Sequence, residues 1–121
     1  MGAENNECVI ATTWANELVS KIKEWVKDLP EDQQRQFAFI PCVCNGKETI
    51  VLGPDGSKKG WKEADRGETL RNNFIEELKK FDYEEGSNPF DFVEVGYGEY
   101  GQKVLRGNCI NKYDDSEYCG I

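Results

Sequence analysis

The chain of 121 residues carries 23 acidic and 15 basic side chains with no histidine, a net charge of −8 at neutral pH. That length supports one domain, residues 1–121, burying about two-thirds of the surface its unfolded chain exposes. The acidity argues against polymeric DNA or RNA, whose affinity comes mainly from Lys and Arg neutralising phosphates.

The charge does not oppose a small anion, which needs only a few well-placed Arg or Lys groups in a pocket. An acidic surface can also mimic nucleic acid and block a basic partner, so both options stay open. Hydrophobic residues make up 38% and aromatics 12%. This balance, poor in aliphatics and rich in large rings, suits a surface that meets a ligand or a second copy. No apolar run approaches the ~18 residues of a membrane span. The start MGAENNECVI lacks the basic region and apolar core of a signal peptide, and Asn6 stands where a myristoylation signal has Ser or Thr. A soluble intracellular chain is expected. Cys8, Cys42, Cys44, Cys109 and Cys119 are five, an odd number that favours free thiols over a disulfide framework.

In chain order, Cys8 to Ala11 reads as a short edge strand, and Thr12 or Thr13 as the cap of a helix ending at Leu29 before Pro30. Trp14, Leu18, Ile22, Trp25 or Val26 and Leu29 mark its apolar face. Glu31 to Gln36 is a polar connector. Phe37 to Cys42 and Thr49 to Leu52 form a hairpin around Asn45-Gly46, followed by a turn over Gly53 to Ser57. Lys58, Lys59 and Lys62 surround Trp61 as the one basic cluster.

A second helix begins at Asp65, with Glu68 completing a capping box. Leu70, Phe74, Leu78 and Phe81 form its apolar face beside Ile75, and Arg66, Arg71, Asn72 and Asn73 lie off it. Tyr83 to Asn88 is a loop. In the next strand Phe92, Glu94 and Gly96 alternate with Val93, Val95 and Tyr97, and Gly98 to Gly101 turns the chain into Gln102 to Arg106. Beyond it, about 108–121 is a polar tail expected to be poorly ordered without a partner. The pattern predicts an α+β fold: an antiparallel sheet of about four strands with two helices on one face, in the order α-β-β-α-β-β. The bare sheet face calls for a second protomer.

The absence of histidine removes Ser-His-Asp and Cys-His chemistry as usually built, and the commonest zinc ligand. Cys42 and Cys44 lack the spacing of a zinc knuckle, and Asp114-Asp115-x-Glu117 is too sparse for a calcium loop. Gly96-x-Gly98-x-x-Gly101 matches a dinucleotide fingerprint in spacing only, because no helix follows it. The chain therefore reads as a binding protein with no catalytic residue, metal or cofactor. Arg71, Arg106 and the lysine cluster are candidates for phosphates, Phe81, Tyr83, Phe90 and Tyr97 for stacking on a base, and Asn88, Asp91 and Asn108 for polar edges. The competing reading is core packing for each aromatic and a surface ion pair for each arginine.

The run GPDGSKKGWKEADRGETLRNNFIEEL, continued by YEEGSNPFDFVEVGYGEYGQKV, resembles the first family of phage Thoeris anti-defence proteins, sponges for TIR-derived cyclic ADP-ribose signals. The similarity spans Gly53 to Val104. It implies a phage protein in the host bacterial cytosol that sequesters glyco-cyclic ADP-ribose without cleaving it, with cyclic oligonucleotides as further ligands in some members. It also implies a homo-oligomer, a dimer-based hexamer, with pockets between protomers. The family's stacking aromatic, asparagine and pyrophosphate arginine match Phe81, Asn88 and Arg106, and Arg71 is a weaker addition. The N-terminal half and the tail carry no matching motif.

Overall fold

Five β-strands and three helices alternate along the computed structural model, which describes residues 5–58 and 60–109. They are β1 (Asn5–Thr13), α1 (Asn16–Lys27), α2 (Glu31–Gln34), β2 (Phe37–Pro41), β3 (Glu48–Leu52), α3 (Lys62–Lys79), β4 (Phe90–Gly98) and β5 (Gly101–Gly107). The strands make one antiparallel sheet in the order β2-β3-β1-β4-β5. The α+β class is as expected. The sheet has five strands where about four were expected, because Cys8 to Ala11 belongs to a nine-residue strand at the centre of the sheet, not at its edge. The polar connector holds the single turn α2.

The centre falls to β1 because its inward positions, Val9, Ala11 and Thr13, are all buried. Register pairs Val9 with Leu52 on one side and Glu94 on the other, and Ala11 with Ile50 and Phe92. Paired residues share a face of the sheet, so one continuous apolar layer results. Both long helices cover this layer. Val19, Ile22 and Val26 of α1 meet Leu70, Phe74, Ile75 and Leu78 of α3 in the same buried cluster. At its middle the Trp25 ring stacks on Phe74 at 6.1 Å, and Phe37 meets both rings edge-on.

Three local readings change. Trp14 precedes α1 and is 65% exposed, so the apolar face of α1 is carried by Val19, Ile22 and Val26, with Leu18, Trp25 and Leu29 partly buried beside them. Thr13 does not cap the helix directly. Its hydroxyl accepts from Ala15 N at 3.0 Å and donates to Pro89 O at 2.9 Å, fastening the end of β1 to the start of β4, while α1 ends at Lys27. The third change is at α3, which starts at Lys62 behind an extended Trp61, with no side-chain cap; Asp65 lies within its first turn and the Asp65–Glu68 capping box does not form. Asn45 and Gly46 both adopt positive φ, 64° and 63°, as the tight hairpin requires. Residues 110–121, with most of the polar tail, Cys119 and the Asp114 to Glu117 acids, lie outside the described residues, as does Lys59.

Truncating the ring at the centre of the cluster, Phe74→Ala, should cost about 3–5 kcal/mol of stability in urea unfolding. Trp14→Ala should change it by no more than about 0.5 kcal/mol.

Candidate functional site

Among the described residues, Glu94 is the one charged residue buried in the core face, at 4% exposure, where its register partner on β1 is Val9. A carboxylate there must be paired. Arg71 of α3 donates from Nε at 3.0 Å, and Arg106 of β5 donates from Nε at 2.5 Å to the other carboxylate oxygen. Arg71 also reaches Glu7 of β1 at 2.6 Å, and Arg106 donates to the Asn72 side chain. Two guanidinium groups and two carboxylates thus join α3, β1, β4 and β5. Arg71, read from sequence as lying off the buried side of its helix, is 12% exposed and spans the gap to the sheet. Room for it comes from Gly67, where a Cβ would sit 2.8 Å from an Asp55 carboxylate oxygen and 3.3 Å from Arg71 Nη1.

Arg106 differs from Arg71 in access. Its side chain is 41% exposed and lines an open groove of about 310 Å³ with Glu7, Glu68, Asn72, Glu94 and Leu105. The groove runs between α3 and β5, the edge strand, all of whose residues are exposed. On the other flank of α3 a cleft of about 330 Å³ is lined by Glu7, Asp55, Asp65, Glu68 and Arg71 among others.

The remaining expected residues follow β4 toward its start. Phe81, partly buried just past α3, packs on the fully buried Phe90 with ring centroids 5.8 Å apart. Asn88 ties the loop together. Its Nδ2 donates to Leu78 O at 2.8 Å and to Asp82 Oδ1 at 2.7 Å, and its Oδ1 accepts from Phe90 N at 2.7 Å. Asn108 performs a parallel task beyond β5, accepting from Phe92 N and donating to Phe90 O. Tyr83 is exposed and lines a small pocket of about 160 Å³ with Trp14, Lys47, Asn88 and Asp91. Arg71 and Arg106 are therefore brought together through Glu94, and Phe81, Phe90, Asn88 and Asn108 form a second group at the start of the same strand. Tyr97 stands apart on the outward side of β4.

Sequence reading did not single out Glu94 or Glu7. Glu94 did carry a signal: a lone acid at an inward position of an alternating strand needs a buried cation, and Arg71 and Arg106 were already in view. A cleft of about 540 Å³ lined by Trp61, Arg35, Arg66 and Asp32 was also missed. There the bidentate Arg66–Asp32 pair, 2.5 and 3.1 Å, holds the Asp32 carboxyl below its usual range and raises the arginine further. Burial, with the Glu94 charge behind it, pushes the Cys8 thiol up, and burial does the same for Cys109. Among the described residues the cysteines are free, and no group of three or more acids or thiols is placed to hold a metal ion. No helix among them is long and apolar enough to cross a membrane. No family model, curated protein or solved structure matches the chain.

Arg71→Met keeps the aliphatic stem but strips Glu94 of one partner, and should cost about 3 kcal/mol in urea unfolding. Asn88→Ala, measured without any ligand, should cost about 1–3 kcal/mol because the Phe90 amide loses its acceptor, while Leu78 O keeps the Phe81 amide.

Proposed function

We propose that the chain is a phage anti-defence protein that binds and sequesters a cyclic nucleotide immune signal, glyco-cyclic ADP-ribose or a related molecule, without cleaving it. Acting in the host bacterial cytosol as a homo-oligomer, a dimer-based hexamer, it keeps the signal from its effector. The observation that carries this reading is Arg106, 41% exposed on the wall of an open groove and held in place by Glu94 and Asn72. An arginine fixed before the ligand arrives loses little side-chain entropy on binding.

The similarity over Gly53 to Val104 supports the rest. Phe81, Asn88 and Arg106 all lie on the helix-bearing side, along β4 and its neighbours. Asn88 Oδ1 accepts one hydrogen bond and keeps a second lone pair for a ligand donor such as an exocyclic amine. The fully exposed β5 edge lets a neighbouring chain approach Arg106 and close the groove. Closure excludes water, strengthens each phosphate contact and slows release, which sequestration requires.

A second reading rests on the cleft beside α3, where Glu7, Asp55, Asp65 and Glu68 face a single arginine that is already paired. This surface suits a basic partner, and an acidic protein that masks a host factor is the alternative function.

The test of the first reading incubates the protein with glyco-cyclic ADP-ribose, removes free ligand and heat-denatures the complex. Intact signal should be released, and Arg106→Ala should weaken retention roughly 30-fold or more. Release of a converted product, or full retention by Arg106→Ala, defeats it. Activity that survives Arg106→Ala and is lost on Asp65→Lys with Glu68→Lys favours the masking function.

A further inference from the structure

We infer that Cys42 and Cys44, at the tip of the β2–β3 hairpin, form a two-thiolate site for a soft monovalent metal ion, copper(I). Both thiols are free, Cys42 partly buried and Cys44 exposed. The loop that carries them is closed by the Cys42 amide, which donates to Lys47 O at 2.9 Å, and its far side is set by the positive φ of Asn45 and Gly46. The chain bends at Val43 and Cys44. Cα atoms two residues apart then lie within about 7 Å, a separation from which two side chains can place their sulfurs the span of two metal–sulfur bonds of about 2.3 Å each. Val43 between them is wholly exposed, so the tip is open to an ion from solvent.

The sulfur of Cys42 already belongs to a row of polar side chains that crosses the sheet. Cys42 Sγ lies 3.5 Å from Thr49 Oγ1, which in turn lies 2.8 Å from Thr12 Oγ1. With Thr12 donating to Thr49, the Thr49 hydroxyl keeps its own proton for the sulfur. A metal-bound thiolate accepts such a hydrogen bond, and the bond fixes how the ligand is aimed. Lys47, which closes the loop, also lines the neighbouring pocket with Thr12. It brings positive charge to the end of the sheet where two thiolates and a monovalent ion leave one net negative charge.

Ligand chemistry selects the ion. Thiolates are soft ligands that favour copper(I), and two of them in a linear arrangement satisfy it. A structural zinc ion takes four ligands; the chain has no histidine to add, and among the described residues no third acid or thiol joins the pair. On binding, each thiol gives its proton to solvent as a copper–sulfur bond forms, and the copper stays monovalent, so the step needs no oxidant. The hairpin tip lies at the β2 edge of the sheet and Arg106 on β5 at the opposite edge, so this site stands whether or not a nucleotide is the ligand.

The test titrates the full, reduced chain with copper(I) under nitrogen, in competition with a chromophoric copper(I) chelator. The chain should retain one copper(I) per molecule and show thiolate-to-copper charge-transfer absorption in the ultraviolet. Cys42→Ser and Cys44→Ser should each weaken retention roughly 100-fold or more, and Thr49→Val, which leaves both thiols in place, roughly 10-fold. Cys109→Ser should leave retention unchanged. Cys44 is exposed, so Cys44→Ser should keep its far-UV circular dichroism and decides the matter if Cys42→Ser does not fold. A chain that retains no copper overturns the inference, as does retention undiminished in Cys44→Ser or lost equally in Cys109→Ser. One zinc ion for every two chains, held in preference to copper, would mark a site shared between copies and overturn it as well.

Discussion

The pairing of Glu94 is the constraint on which the helix-bearing side depends. A carboxylate on the core face of β4 cannot stay charged without cations, and none is near in sequence. Arg71 crosses from α3 and Arg106 folds in from β5, so one buried charge fixes how the helix and the edge strand sit against the centre of the sheet. Glu7 then takes the remaining reach of Arg71. Two positive and two negative groups leave the network neutral overall, which suits burial. A phosphate approaching Arg106 meets a guanidinium already half committed, and it gains most if Asn72 yields its contact, because Asn72 is neutral and exposed.

The amides have a different part in the same architecture. Asn88 and Asn108 both bond the start of β4, Asn88 accepting from Phe90 N and Asn108 bonding Phe90 O and Phe92 N. With Thr13 bound to Pro89 O, they hold the entry to β4 rigid. Phe81 packs on Phe90, and the Phe90 backbone is held by these bonds. Any role for Asn88 toward a ligand is built on a side chain whose first duty is to the backbone.

Much of this was legible in the residues. The helical periodicity of α1 and α3, the Asn45-Gly46 hairpin and the Gly98 to Gly101 turn carry local signals, and these set the α+β class. The place of β1 was not legible, because a central strand covered on one face needs only Val9, Ala11 and Thr13 inward and shows no long apolar run. Asp65 and Glu68 imitate a capping box, but Gly60 takes positive φ of 95° and lets the chain enter the helix behind Trp61. The site was visible as residue types and hidden as an arrangement. Nothing in the spacing of Glu7, Arg71, Glu94 and Arg106 announces that four elements meet there, since register across β1, β4 and β5 decides it.

The sheet divides the molecule by charge as well as by packing. On one side lie the helices with nearly all the ionisable groups; on the other lies a layer of valine, isoleucine and threonine. The buried carboxylate, its two arginines and the apolar cluster therefore share the helix-bearing side, and the groove beside Arg106 opens between α3 and β5 on that side.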